Sequence, residues 1–426
     1  MRRLSLRLPL PWRYHPHSAE PSSPQLPPEL ILYILLNFVP RQLEESAGVR
    51  GKAHRILYNT SLVSRSWHQI AVELLYGTVV LSKSRHLHLF VRTIKTSPCL
   101  AALVKSISMV DTQEDVMYST SMHGSSFVAL SAFQNTEEII PSVVIVLKTC
   151  ENLKIMSSTF TRSVDFYTRR KDVMRGPTWI TSRLRMLSLT GNTLEIMLTH
   201  FAFPLLEVLC LRAYSFSRNL RFHQLKRLHT LRLYQPLRGG DSHPFDISSF
   251  QEVFPNVRTY ELFKEGSSTP MIDVGIFDRV QNLEHASFVE CPGVRKFEVV
   301  KNCDSLQSLR SFTLGVIDGA RGGSMEDSFA TWRLPPSLET LTLLIGVPRE
   351  GSAQVYPLEL VVQLLRYNLQ PYTPCPLRQL NLRVKTAKRI CTPLPNHYLK
   401  SLDTIFALCE SAGIALEATR ERTPFI

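Results

Sequence analysis

Histidines and cysteines are the side chains best able to hold a metal or attack a carbonyl, and their spacing here assembles neither chemistry. His86 and His88 flank Leu87, and His15 and His17 lie near the N-terminus, but no cysteine or carboxylate cluster stands at ligand spacing beside them. The eight cysteines, Cys99, Cys150, Cys210, Cys291, Cys303, Cys375, Cys391 and Cys409, include no CxxC pair. Such scatter suits neither a zinc site nor a disulfide framework, and fits reduced thiols in a cytoplasmic or nuclear protein. Cys210 sits inside a strand-like apolar pattern, where cysteine acts as a small hydrophobe. GxSxG, HExxH, Walker and GxGxxG motifs are missing, and the glycines of DGARGGS (318–324) lack the Lys-Ser/Thr of a phosphate cradle. Serine, histidine and aspartate are plentiful, yet nothing in their order builds a triad. The expectation is a chain with no catalytic residue, no metal and no cofactor, not an enzyme, whose work is binding.

What it binds is constrained by composition. Over 426 residues, 44% are hydrophobic and 20% charged, as in a globular protein. No apolar run reaches the roughly 18 residues that would cross a bilayer, so no membrane partner is expected. The formal net charge of +13 raises nucleic acid as a partner. The excess is dispersed, however, over the N-terminal tail, TRRKDVMRG (168–176) and RVKTAKR (383–389), with no interleaved aromatics to stack bases. Solvated surface, or docking to an acidic partner, is the better account. In the tail, Arg7, Pro9 and Pro11 interrupt any secretory or mitochondrial signal, and residues 1–24 are expected to be a disordered basic segment.

Two kinds of element follow. In LPPELILYILLNFVP (26–40), Pro27 and Pro28 suit a helix entry and Glu29 suits the positive end of the dipole. Leu30, Ile31, Ile34, Leu35 and Phe38 form an apolar stripe at helical period, ended by Pro40. After the polar stretch 41–55, Leu57, Leu62, Trp67, Ile70, Ala71, Leu74 and Leu75 predict two further helices, broken near Asn59-Thr60-Ser61 where hydroxyls favour a new cap. Gly77 ends the last helix, and TVVL (78–81) is β-prone. Three such helices bury little surface alone and gain by packing against something else.

LPPELILYILLNFV followed by LVSRSWHQIAVELLYGTVVL resembles an F-box, and LHLFVRTIKTSPCLAALVKSISM (87–109) resembles the linker that follows it in many fungal F-box proteins. The stretch 41–55 reads as a loop insertion that leaves the helices intact. The resemblance implies binding to the Skp-type linker subunit of a cullin–RING ubiquitin ligase. Carried over position by position, the docking face would be Leu26, Pro27, Leu30, Ile34 and Leu35, with Leu62, Val63 and Trp67.

Further along, one phrase recurs, L-x-x-L-x-L or a close variant. It stands at LRMLSL (184–189), LEVLCL (206–211), LHTLRL (228–233), VRTYEL (257–262), LEHASF (283–288), LRSFTL (309–314), LETLTL (338–343) and LRQLNL (377–382), with weaker copies at VKSISM (104–109) and LKIMSS (153–158). From 184 on, the starts differ by 22, 22, 29, 26, 26, 29 and 39 residues, the range of leucine-rich repeats with loop insertions. In a strand, both leucines of LxL face one side, and such units bury that side only by stacking. TLEIMLTHFAF (193–203), LELVVQLLRYNL (358–369) and YLKSLDTIFALCESAG (398–413) have helical period, and IALEA (414–418) is a closing strand.

The expected fold is α/β: an all-α F-box-like module (25–81), a linker and N-terminal capping region (82–150), then an irregular leucine-rich-repeat solenoid (151–426). Outward strand positions Arg212, Arg232, Tyr234, Glu261, Phe263, His285 and Arg383 would form a target-binding strip, since arginine and aromatic residues anchor interfaces. The function implied is a substrate-recruiting adaptor of an SCF-type E3 ligase, serving ubiquitin-dependent degradation of an unidentified protein target. The alternative is a ligase-independent repeat scaffold.

Overall fold

The structure is a computed structural model describing residues 26–37, 47–81, 84–110, 136–159, 180–181, 183–190, 201–212, 225–235, 254–264, 280–289, 306–315, 332–346, 357–369, 375–386 and 396–422. The chain divides into two compact units, Met1–Leu75 and Tyr76–Ile426.

The first unit is helical. Helix α1 (Pro28–Leu36) opens on the Pro27 carbonyl, which accepts the amides of Leu30 and Ile31 at 3.0 and 3.2 Å. Its end is tied by the Asn37 side-chain amide donating to the Tyr33 carbonyl. Helix α2 (Ala47–Thr60) follows, then a turn, then α3 (Arg65–Gly77). The Ser64 hydroxyl caps α3 by accepting the Trp67 amide, a few residues beyond the break expected near Asn59-Thr60-Ser61, because α2 runs on through Thr60. Ile31 and Leu35, four residues apart on α1, meet Leu57 of α2 and Ala71 of α3 in a small core, with Trp67, Ile70, Leu74 and Leu75 packed around it. Phe38 and Pro40 lie outside the described residues. The stretch 41–55 is not a simple loop insertion, because α2 begins at Ala47 and buries Ala53 one turn before Leu57. One small residue per turn leaves too faint an apolar stripe to read.

The second unit is built on a parallel sheet. Twelve strands lie in chain order, β1-β2-β3-β5-β7-β8-β9-β10-β11-β12-β13-β14, and β4 (Ile180–Thr181) and β6 (Phe201–Ala202) pair separately. The long sheet comprises β1 (Thr78–Leu81), β2 (Ser106–Val110), β3 (Ile155–Thr159), β5 (Met186–Thr190), β7 (Val208–Arg212), β8 (Thr230–Gln235), β9 (Thr259–Lys264), β10 (His285–Val289), β11 (Ser311–Leu314), β12 (Thr340–Gly346), β13 (Gln379–Thr386) and β14 (Ala415–Arg422). Each strand beside the next in sequence is a solenoid-like arrangement. Every copy of the phrase, the two weaker ones included, starts two residues before its strand.

Helices α4 (Ser84–Thr96), α5 (Pro98–Leu103) and α6 (Thr136–Thr149) accompany the first strands, and α7 (Pro357–Asn368) and α8 (Asn396–Ser411) the last. The sheet therefore begins at β1, inside the stretch assigned to the helical module, and 82–150, expected as a linker and N-terminal capping region, carries β2 and three helices of the same unit among its described residues. The helix expected at 193–203 ends instead in β6, and its earlier residues lie outside the described ones. Helix α8 closes on Gly413 at φ +69°, a left-handed residue that lets the Ile414 amide reach back to the Cys409 carbonyl at 2.8 Å.

The phrase explains the core. Its first, fourth and sixth residues are buried from Val104-Ile107-Met109 through Leu377-Leu380-Leu382, Ser158 lying outside the described side chains, and they join one core. Burying a leucine or phenylalanine in this way contributes about 1.5–3 kcal/mol. Where the phrase departs from leucine, aromatic rings interlock: Tyr260–Phe288, Phe288–Phe312 and Phe312–Trp332 have centroids 5.8, 6.0 and 5.6 Å apart. Ala286 pairs in register with both Tyr260 and Phe312, a small residue between two large ones.

Side chains before the phrase tie coil to coil. Asn152, Asn256 and Asn282, each one residue before its copy, donate to the carbonyls of Ala102, Lys226 and Pro255 in the preceding coil. The second phrase position alternates in charge, with Arg185–Glu207 at 3.4 Å and Arg258–Glu284 at 3.6 Å. These exposed pairs add about 0–1 kcal/mol each and chiefly favour one register.

Packing makes a paired prediction. Phe312→Ala should destabilise the sheet unit by about 3–5 kcal/mol through an unfilled cavity, and Ala286→Leu by about 1–3 kcal/mol through overpacking. Urea unfolding followed by circular dichroism checks both, and an unshifted midpoint for Ala286→Leu would contradict the interlocked file.

Candidate interaction surfaces

On the helical unit, the residues carried over from the F-box resemblance divide by burial. Leu26, Leu30 and Ile34 of the α1 segment are exposed, at 46%, 50% and 38%, and Leu62 and Val63 in the α2–α3 turn are exposed at 69% each. Pro27 is exposed and gives its carbonyl to the start of the helix. Leu35 is placed differently from the expectation. At 1% exposure it belongs to the unit's own core, because it lies one turn beyond Ile31 on the inward face. Trp67 is half-buried against that same core.

The structure adds Leu32, Tyr33, Leu36, Ile56 and Tyr58 as exposed apolar residues that sequence reasoning did not single out. The signal was available: PELILYILL is apolar nearly all round, and a three-helix unit with a small core can enclose only one side of such a helix. Exposed apolar residues in this density mark an interaction surface.

On the sheet, strand alternation sends the residues between the stacked leucines outward. Adjacent strands bring Arg232 and Glu261 into register, and the two form an ion pair of 3.0 Å, both about one-third exposed. One step along, Tyr234 and Phe263 are in register with rings 5.8 Å apart. The register sets Arg212 beside Tyr234. His285 is exposed on β10, in register with Thr259. Arg383 is exposed on β13, four strands beyond β9, about 19 Å away at the usual strand spacing. The expected strip is therefore one cluster on β7–β10 plus a separate arginine.

Around that cluster the outward residues are small and polar. The central file runs Ser108, Ser157, Ser188, Cys210, Arg232, Glu261, Ser287, Thr313, Thr342 and Asn381 in register. Ser108 and Ser157 share a hydrogen bond of 2.9 Å, and Asn381 donates to the Thr342 hydroxyl at 3.3 Å. Ser108, Cys210 and Thr342 are buried, at 1%, 6% and 7% exposure, so the file is not open along its whole length.

No group of His, Cys, Asp and Glu able to hold a metal ion occurs among the described residues. His86 and His88 are exposed on α4 on either side of buried Leu87. No helix of the described residues is long and apolar enough to cross a membrane. Burial pushes the thiols of Cys150 and Cys409 up to about 11, the latter helped by neighbouring Cys375. Cys375 is raised by burial, partly offset by a hydrogen bond from the Leu377 backbone. Scanned against protein-family models and searched against curated proteins, the chain matches none.

The thiols give a pH prediction. An unfolded thiol ionises at its ordinary value near 9, before the buried ones do. The unfolded state then binds fewer protons between pH 9 and about 11, so stability falls as pH rises through that window and is flat below about pH 8. Denaturant midpoints across pH 7–11 measure it, and mutation of Cys150 to serine should flatten part of the slope. A slope unchanged by Cys150→Ser would refute the assignment.

Proposed function

We propose that the chain is an F-box adaptor of a cullin–RING ubiquitin ligase, in which α1–α3 hold the Skp-type linker subunit and a leucine-rich-repeat solenoid holds a protein target. The observation that carries this reading is the exposure of Leu26, Leu30, Ile34, Leu62 and Val63 on a unit whose own core is already filled by Ile31, Leu35, Leu57 and Ala71. Those five are among the eight positions at which the F-box resemblance calls for contact with the linker, and an apolar surface of that kind gains from being covered. Leu35 and Trp67 act in this reading from inside, by holding α1 against α3.

On the sheet, Arg212, Arg232, Tyr234, Glu261, Phe263 and His285 offer the target an aromatic pair beside charged neighbours, the composition in which interface anchors concentrate. The chain would contribute no bond-making of its own, and ubiquitin transfer would belong to its partners. A cytoplasmic or nuclear location goes with this reading. A ligase-independent scaffold is the second reading, supported by the same outward cluster on β7–β10, which can hold a protein whether or not a linker subunit is engaged.

Co-purification separates the two. Wild-type chain should capture the linker subunit, and Leu30→Asp with Val63→Asp should lose it by about a hundredfold or more, the equivalent of roughly 3 kcal/mol. Both positions are exposed, so the helical unit should keep its circular dichroism. Wild-type chain that never captures the linker, while still capturing a target, would leave the scaffold reading. Separately, Arg232→Glu should weaken target capture, and Arg232→Glu combined with Glu261→Arg should restore part of it. Unchanged capture in the single variant would remove the strip from the proposal.

A further inference from the structure

The second residue of each phrase copy stands at the start of its strand, and the backbone sets these residues in a row. From Lys105 through Lys154, Arg185, Glu207 and His229 to Arg258, each amide donates to the carbonyl of the residue before it at 2.8 to 3.1 Å. The row continues in the same way through Glu284, Arg310, Glu339 and Arg378. Every cation in it is exposed. Basic residues that are scattered through the sequence are thus brought into line along one rim of the sheet.

The two halves of the row differ in charge. From Glu284 on, acid and base alternate and cancel. From Lys105 to Arg258 the row has one acid, Glu207, which is held by Arg185 at 3.4 Å. The turns just before these copies add exposed Arg183, Lys226 and Arg227 against a single exposed acid, Glu151, among the described residues. Among the described residues Lys105, Lys154, Arg183, Lys226 and Arg227 form no ion pair. Lys105 and Lys154 stand on neighbouring strands, and like charges side by side oppose the fold. A bound anion removes that repulsion.

The row also indicates which anion suits it. Arg185 and Arg258 already take carboxylates, those of Glu207 and Glu284. β9 lies five strand steps from β2 in the sheet order, about 24 Å at the usual spacing. An extended segment of about seven residues spans that distance. A duplex fits less well, because its phosphates carry a charge about every 3.4 Å along each strand and would meet Glu207 and Glu284. Alternating side chains of a peptide can pass over both. A single strand would need aromatic rings to stack on, and none of these rim residues is aromatic. We propose that the strand-start rim of β2–β9 docks an acidic, extended segment of a protein partner, whose carboxylates reach Lys105, Lys154, Arg183, Lys226 and Arg227. This surface is separate from the outward cluster assigned to a target, and the proposal is independent of the adaptor reading.

Fluorescence anisotropy with a labelled octaglutamate peptide and the full-length chain tests it. The wild type should bind the peptide, more weakly as salt is raised and exposed charges are screened. Lys105→Gln/Lys154→Gln should weaken binding about tenfold or more, while Arg310→Gln/Arg378→Gln, which removes the same charge from the alternating half, should stay within about twofold of wild type. All four positions are exposed, so circular dichroism should be unchanged in both variants. Equal losses in the two variants, no loss in the first, or a wild type that does not bind overturns the proposal. Tighter capture of a DNA duplex or of phosphatidylserine vesicles through the same lysines also overturns it, and assigns the rim to nucleic acid or to a membrane surface.

Discussion

A strand with leucine at alternate positions cannot cover its own apolar face. In this chain that deficit is met by the strands on either side and, near the two ends of the sheet, by side chains of α4, α6, α7 and α8. The stack of first, fourth and sixth phrase residues is thus the interaction on which the sheet unit depends. It fixes parallel order, because each coil must present the same face to the next. It also fixes parity, since the residues between the leucines have nowhere to go but outward. The outward cluster of Arg232, Glu261, Tyr234 and Phe263 exists because the inward stack holds β8 and β9 in register.

The helical unit answers the same physics differently. With a core of four residues it encloses one side of α1 and leaves the remainder apolar and open. Small units of this size are marginal by themselves, so their apolar exterior is a resource for binding rather than a defect of folding. Polar groups at the joints keep the geometry: Ser64 caps α3, and a His68 ring nitrogen lies 2.9 Å from the Ser61 carbonyl.

Much of this was legible in the residues, and the misses have identifiable causes. The phrase located its strands to the residue because leucine spacing and backbone period are the same fact. The closing strand and the helices at 358–369 and 398–413 were equally plain. The first part of helix α2, from Ala47 to Arg55, was hidden because its one buried apolar residue among the described side chains is Ala53, set among polar neighbours. Leu35 was misplaced because every face of α1 is apolar, and periodicity cannot say which face turns inward. Phe201-Ala202 looked helical from periodicity, whereas pairing with Ile180-Thr181, distant in sequence, decided otherwise. The asparagines at 152, 256 and 282 went unread, although an Asn just before three copies of the phrase was there to be seen. Arg383 shares parity with the outward cluster, but parity does not measure how many strands intervene.

The parity of the strands has a consequence for how such a chain can change over generations. Inserting or deleting one residue inside a strand would turn serines and arginines into the stack and leucines out to water, so strand interiors should be closed to length change. The connections obey no such rule: the starts of successive copies already lie 22 to 49 residues apart while the strands keep their places. Length variation is thereby steered into the segments between strands, and substitution into the outward file. A lineage of this fold can alter the surface it presents almost freely, provided it never miscounts within a strand.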